Sequence, residues 1–200
     1  MNIQDIYRAH HVDRWQIVNV SRTQSLAEHS FNVAMIAREI AIRIGLTSHL
    51  ADITEWALIH DLPEIATGDI ASPLKVYMRN LGNSEDGVEK LESLISEEYR
   101  VTKRLVQESI VNDVVKLADL IDGIRYLELY ANKSCIHARE TLIGLRTKLQ
   151  SKVAELKTRT EVSGVFDWNE ALKVWADLSF GKPKSIDSIL KEGKSVQEKQ

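Results

Sequence analysis

Cysteine is almost absent from this chain, and Cys135 is the only one. No intrachain disulfide can form, and no Cys-based metal framework can be built. That fits a reducing compartment. Breakers are scarce as well, with three prolines and nine glycines in 200 residues. No uncharged apolar run is long enough to span a bilayer. The start, Met1-Asn2-Ile3-Gln4-Asp5, lacks the apolar stretch of a signal peptide. Positive charge is not in excess, since the formal net charge is −3. A broad phosphate-backbone surface needs clustered positive charge, so a nucleic-acid polymer is not an expected partner. A small basic pocket for one phosphate group remains open. These absences point to a cytoplasmic protein with no membrane partner.

What the chain does have is apolar residues at helical spacing. They make up 44% of the residues beside 28% charged ones, ordinary for a globular domain of this length. Leu26, Val33, Ile36, Ile40 and Ile44 form one amphipathic stripe, with Gly45 as its stop. A second helix is predicted from about Ser48 to Asp61, buried through Leu50, Ile53, Ala57 and Leu58. Thr67 to Pro73 reads as a loop or helix entry. Further helices are expected over Glu85–Arg100, Val111–Tyr130, Ala138–Thr158 and Trp168–Leu178. Trp56, Trp168 and Trp175 read as core anchors. No alternating pattern longer than a few residues suggests a strand. The expected architecture is all-α, a single-domain helical bundle over residues 1–180 with a polar, lysine-rich tail over 181–200.

His29, His60, Asp61 and Asp119 stand out as a set. His60 and Asp61 end the apolar stretch Trp56-Ala57-Leu58-Ile59. Burying both costs free energy unless they are paired or bound to metal. Adjacent helical residues point about 100° apart, so both can reach one ion off the helix end. His29 lies near the start of another helix, and Asp119 interrupts a core stretch of a third. Two imidazoles and two carboxylates from packed helices can hold one divalent transition metal. Mn, Fe, Co, Ni and Zn all suit this donor set, and Mg, which prefers oxygen, suits it less. Asp122 lies three residues after Asp119 and competes with it as ligand. Arg125 and Glu128 read as the same polar edge. His10, His11, His49 and His137 lack such context, and Cys135 reads as inert.

The order His … His-Asp … Asp, each on a helix, resembles the HD superfamily of metal phosphohydrolases. More narrowly, five blocks are similar to the YfbR-like 5′-deoxynucleotidases. They are Arg14-Trp15, Ser25-Leu26-Ala27-Glu28-His29-Ser30, His60-Asp61-Leu62-Pro63-Glu64-Ile65-Ala66-Thr67-Gly68-Asp69, Ser72-Pro73-Leu74-Lys75 and Lys116-Leu117-Ala118-Asp119. The resemblance implies that His29, His60, Asp61 and Asp119 are the metal ligands, with Asp119 preferred to Asp122. It implies that Glu64 acts on the water or the leaving oxygen. It implies that Arg14 contacts phosphate, that Asp69 takes a 3′-hydroxyl, and that Trp15 crowds a 2′-hydroxyl. It also implies a homodimer or larger homo-oligomer.

These roles suit the residue types. A bound divalent ion would lower the pKa of water. Arg14 offers a planar fork for phosphate oxygens. Trp15 suits either the sugar pocket or the core. Lys75 either adds a charge for phosphate or is a solvated lysine. Pro63 removes a backbone donor just before Glu64, so the helix ends or restarts near residue 62.

The expected reaction is hydrolysis of a 2′-deoxynucleoside 5′-monophosphate to nucleoside and phosphate. The alternative is release of triphosphate from dATP, as in phage relatives of this family. Ile17 and Pro73 are similar to the adenine-selective pocket of those relatives, where an apolar edge would leave a keto or amino group unpaired. Two non-enzymatic readings stand beside these, a nucleotide sensor and a helical module with a structural metal.

Overall fold

Ser25 sets the start of the first long helix. Its hydroxyl accepts from the Glu28 backbone N–H, and the Glu28 carboxylate accepts from the Ser25 N–H. This capping box satisfies two otherwise orphaned donors. Helix α1 then runs over Leu26–Arg43. It closes at Ile44, and Gly45 follows at φ 80°, a backbone region that favours glycine.

The computed structural model describes residues 3–71, 73–75, 77, 97–107, 109–159 and 165–189. After α1 come α2 (Leu50–Ile59), α3 (Glu64–Thr67), α4 (Glu97–Val106), α5 (Ile110–Tyr130), α6 (Ile136–Thr158) and α7 (Asn169–Phe180). Helix α5 is the central element and packs against α1, α2, α4, α6 and α7. Its buried face carries Val114, Leu117, Ile121 and Ile124, which meet Ile40, Ile53, Leu149 and Trp168. Each fully buried aliphatic side chain here contributes about 1.5–3 kcal/mol. The all-α expectation holds. None of the helices is long and apolar enough to cross a membrane, among the described residues.

Several details differ from the sequence reading. Helix α2 ends at Ile59, and His60 to Pro63 form a turn before α3 begins at Glu64. Proline therefore does restart the helix. Leu58 is not buried but 47% exposed, and Trp56 fills the core instead. Leu58 lies five residues after Ile53, about 140° round the helix, whereas Trp56 and Ala57 fall within about 60° of it. The helix expected over Glu85–Arg100 lies largely outside the described residues, and α4 continues to Val106. Of the expected tail, residues 181–187 are exposed, and 190–200 lie outside the described residues.

Two elements had no signal in the sequence. Residues Ile3–His10 form a 3-10 helix. Strands β1 (Asp13–Arg14) and β2 (Gln24–Ser25) pair antiparallel, with Arg14 opposite Gln24. Two-residue strands are too short to show alternation. The ladder nevertheless matters, because it holds Arg14 and Trp15 beside the start of α1.

Candidate active site

The site lies where α1, the α2–α3 turn and α5 converge. His29 is fully buried on α1. Its Nδ1 is 2.7 Å from Asp122 Oδ2 on α5. His60 caps α2, and its Nδ1 is 2.8 Å from the Ala57 carbonyl oxygen. A carbonyl can only accept, and an ionised carboxylate can only accept. Both imidazoles therefore donate through Nδ1, which leaves Nε2 as the nitrogen a metal could take once deprotonated.

Both Nε2 atoms are buried without a hydrogen-bond partner. Acceptors surround them instead. His29 Nε2 is 3.5 Å from Asp61 Oδ2 and 3.3 Å from Asp119 Oδ1. His60 Nε2 is 3.4 Å from Asp61 Oδ2. One ligand atom each from His29, His60 and Asp61 lies within 4.8 Å of the other two. Two imidazole nitrogens converging with a carboxylate oxygen are a donor set that fits a divalent metal. Asp119 lies at the rim, 40% exposed at its side chain. Asp122 touches the opposite nitrogen of His29 and orients the imidazole.

Arg14 reaches into the same group. Its Nη1 is 2.9 Å from Asp61 Oδ2 and 3.9 Å from Glu64 Oε2, and its Nη2 is 3.9 Å from Asp119 Oδ1. Burial lowers the guanidinium pKa, but Asp61, Asp119 and Glu64 outweigh it and push the value up. Burial raises the Asp61 carboxyl, yet His60, His29 and Arg14 hold it well below the usual range. Burial and the Arg14 charge lower His29, but Asp119, Asp122 and Asp61 bring it up to about 10. Burial, then Asp61, pushes Glu64 up to about 8, against Lys75 and Arg14. A carboxyl in that range can hold or release a proton near neutral pH.

Lys75 donates to Glu64 Oε1 at 2.9 Å. It is neither a merely solvated lysine nor a free charge. Pro73 is exposed, and Ile17 is 62% exposed in the turn after β1. Asp69 is half-buried, and its charge is felt by Arg14 and Glu64. Trp15 takes φ 70°, an uncommon region for a bulky residue. Its indole N–H donates to Gln24 Oε1 at 3.1 Å, and its ring stacks on Tyr126.

Two polar contributors carried no signal of their own in the sequence. Gln24 Nε2 donates to Asp122 Oδ2 at 2.9 Å, and Asn32 Nδ2 donates to Asp122 Oδ1 at 3.0 Å. Asn32 lies three residues after His29 on the same helical face, a spacing that could have flagged it. Glu128 does not share this polar edge. It pairs with Arg125 at 3.5 Å, as the shared edge expected, but bonds Arg146, Trp175 and Ser179 away from Asp119. Nine residues separate it from Asp119, which places it about half a turn away.

Residues 3–159 match the family described as 5′-deoxynucleotidase YfbR-like. The chain belongs to this family. Among YfbR-like relatives, a dATP triphosphohydrolase of Salmonella phage PMBT28 is 30% identical over 88% of this chain and 91% of its own length. The 5′-deoxynucleotidase YfbR of Escherichia coli is 29% identical over 58% of this chain and 55% of its own. The Cyanophage S-2L HD phosphohydrolase (DatZ), solved bound to dA and one catalytic Zn2+ ion, superposes with a TM-score of 0.75. It is 22% identical and covers 91% of this chain and 98% of that one. The fold is therefore the helical HD fold of metal phosphohydrolases.

Proposed function

We propose that this chain hydrolyses the 5′-phosphoester of 2′-deoxynucleotides with one divalent metal held by His29, His60, Asp61 and Asp119. The carrying observation is the pair of buried, partnerless Nε2 atoms aimed at Asp61 and Asp119. When bound, a divalent ion supplies a lower water pKa and polarises a phosphoryl oxygen. Zn, Mn, Fe, Co and Ni all suit the donors.

The remaining work falls to side chains. Water oxygen bonds to the α-phosphorus, the bond from phosphorus to O5′ breaks, and O5′ takes a proton. Glu64 exchanges that proton with the water or with O5′, and Lys75 holds its carboxyl in place. Arg14 turns its fork from the carboxylates to the phosphate. Asp69 accepts from the 3′-hydroxyl. Trp15, fixed by Gln24 and Tyr126, closes the space a 2′-hydroxyl would need. Ile17 and Pro73 border the base.

Monophosphates and dATP both undergo this same bond cleavage. One observation favours dATP as the substrate. The phage triphosphohydrolase aligns over 91% of its length, while the monophosphatase aligns over 55%. Ile17 beside the Trp15 turn agrees with an adenine-selective edge. We further propose a cytoplasmic homo-oligomer, supported by the free thiol of Cys135 and by exposed Phe31 and Met35 on α1.

Chromatography of the products tests the reading. Metal-loaded protein is given dATP, dAMP, ATP and AMP, with Glu64→Gln as control. Deoxyadenosine and triphosphate from dATP are expected, with ribonucleotides left intact. Phosphate from dAMP alone would select the monophosphate reaction. No product from any nucleotide would overturn the enzyme and leave a sensor.

A further inference from the structure

We propose that Gln24 is a positioning residue that ties the seat of Trp15 to the aim of His29. The inference rests on the metal reading of the site.

Gln24 is 1% exposed, so its amide must find partners inside the protein. It has two. The carbonyl oxygen accepts from Trp15 Nε1 at 3.1 Å, and the amide nitrogen donates to Asp122 Oδ2 at 2.9 Å. The indole only donates and the carboxylate only accepts. One amide orientation satisfies both, and a flipped amide would face an N–H with its NH2 and a carboxylate with its oxygen. The indole thus fixes which way the amide points.

Asp122 passes the constraint on. The oxygen that accepts from Gln24 also lies 2.7 Å from His29 Nδ1, and its other oxygen accepts from Asn32 at 3.0 Å. A carboxylate held on both sides fixes the imidazole tautomer and plane, which sets where Nε2 points. Trp15 needs such a hold, because φ 70° is a strained backbone region for a bulky residue. The ring also lies against bare backbone. A Cβ built on Gly123, the residue after Asp122, would stand 3.4 Å from Trp15 Cη2. The aromatic wall and the imidazole therefore meet on adjacent residues of α5.

The consequence concerns sugar selection. A 2′-hydroxyl that pushes the indole aside also pulls on the amide that orients Asp122 and His29. Discrimination against ribonucleotides then appears in kcat as well as in KM.

The test uses Zn2+ alone, titrated into chelator-stripped full-length protein against a chromophoric competitor. Gln24→Met keeps the length and cuts both bonds. Gln24→Glu keeps the acceptor for the indole but sets an oxygen against Asp122. Both are expected to weaken Zn2+ binding about tenfold or more, the usual loss when a supporting partner of a metal-bound histidine is removed. Gln24→Met also lowers the deoxy-to-ribo ratio of kcat. Should either variant fail to fold, Trp15→Phe leaves Gln24 in place and removes the indole N–H while keeping an aromatic ring there. It is expected to weaken Zn2+ binding about threefold, through the lost hydrogen bond and the smaller ring. Folded variants that bind Zn2+ within twofold of wild type overturn the role of Gln24 alone. Wild-type protein that binds no ion overturns the metal reading and this inference together.

Discussion

Helix α5 carries carboxylates in two kinds of surroundings. Toward its start, Asp113 meets Lys152 at 3.2 Å and Arg159 at 2.6 Å. Toward its end, Glu128 meets Arg146 at 2.9 Å and accepts from Ser179 at 2.6 Å and Trp175 at 3.3 Å. Each of these carboxylates has its charge matched by cations on or just past α6, and Glu128 also by Arg125. The middle of the helix is different. There Asp119 and Asp122 join Asp61 and Glu64, and the permanent cations touching them are Arg14 and Lys75, among the described residues. Two buried imidazole Nε2 atoms without a hydrogen-bond partner face the same space. The outer clusters pair each carboxylate with a permanent cation and pin α6 and α7 to the core. Once Glu64 and His29 are deprotonated, the four central carboxylates outnumber Arg14 and Lys75 by the charge of a divalent ion, and groups with shifted pKa values of this kind cluster at working sites.

The largest effect is expected at the centre. His60→Ala or Asp61→Ala should abolish nucleotide hydrolysis while circular dichroism keeps the wild-type helical signal. Surviving turnover in either variant would break the contrast. Glu64→Gln should lower kcat about 10²–10⁴-fold, the usual share of a proton-transfer group, measured under saturating substrate.

The outer clusters should respond the opposite way. Glu128→Ala removes the acceptor of three donors and is expected to destabilise the fold by about 2–4 kcal/mol, somewhat below a fully buried pair because Arg146 reaches solvent. Denaturant unfolding measures it, and turnover per folded molecule should stay at the wild-type value. A loss of turnover without a loss of stability would put Glu128 back beside the site.

The pH dependence sharpens the same contrast with a smaller effect. In the metal-free protein Glu64 is raised from 4.5 to about 8, and His29 from 6.5 to about 10. Raised values mean that the folded protein binds more protons than the unfolded chain. Stability from these groups is fully present at low pH and is lost as pH rises through about 8 and then about 10. Metal binding must displace the His29 proton, so Zn2+ affinity should rise with pH, up to about tenfold per unit for one proton released. The metal-induced rise in melting temperature should therefore be larger at pH 8.5 than at pH 6. Asp113→Ala and Glu128→Ala should leave that slope unchanged.

Much of this was legible in the residues. Helices α1, α5, α6 and α7 announced themselves through apolar spacing, and their ends fall within two residues of the expected ones. The His-Asp set was legible because polar side chains interrupt apolar stretches, where burial costs free energy unless something compensates. The β1–β2 ladder was not, since two residues hold no period. Gln24 was not, because a lone glutamine has no spacing to betray it, and its meaning comes from Trp15 and from an aspartate 98 residues away. Glu128 was misplaced because a three-residue step drifts round a helix of 3.6 residues per turn. Local pattern reveals which residues are unusual, and packing decides which of them meet.

Metal titration coupled to turnover tests the central claim most directly. Zn2+ or Mn2+ is added back to stripped protein while bound ion and hydrolysis of dATP and dAMP are followed together, in wild type and in His60→Ala. The account predicts one ion bound per chain, hydrolysis that rises in step with that ion, and loss of both in His60→Ala. Hydrolysis by fully stripped protein, or unchanged ion binding in His60→Ala, would contradict it.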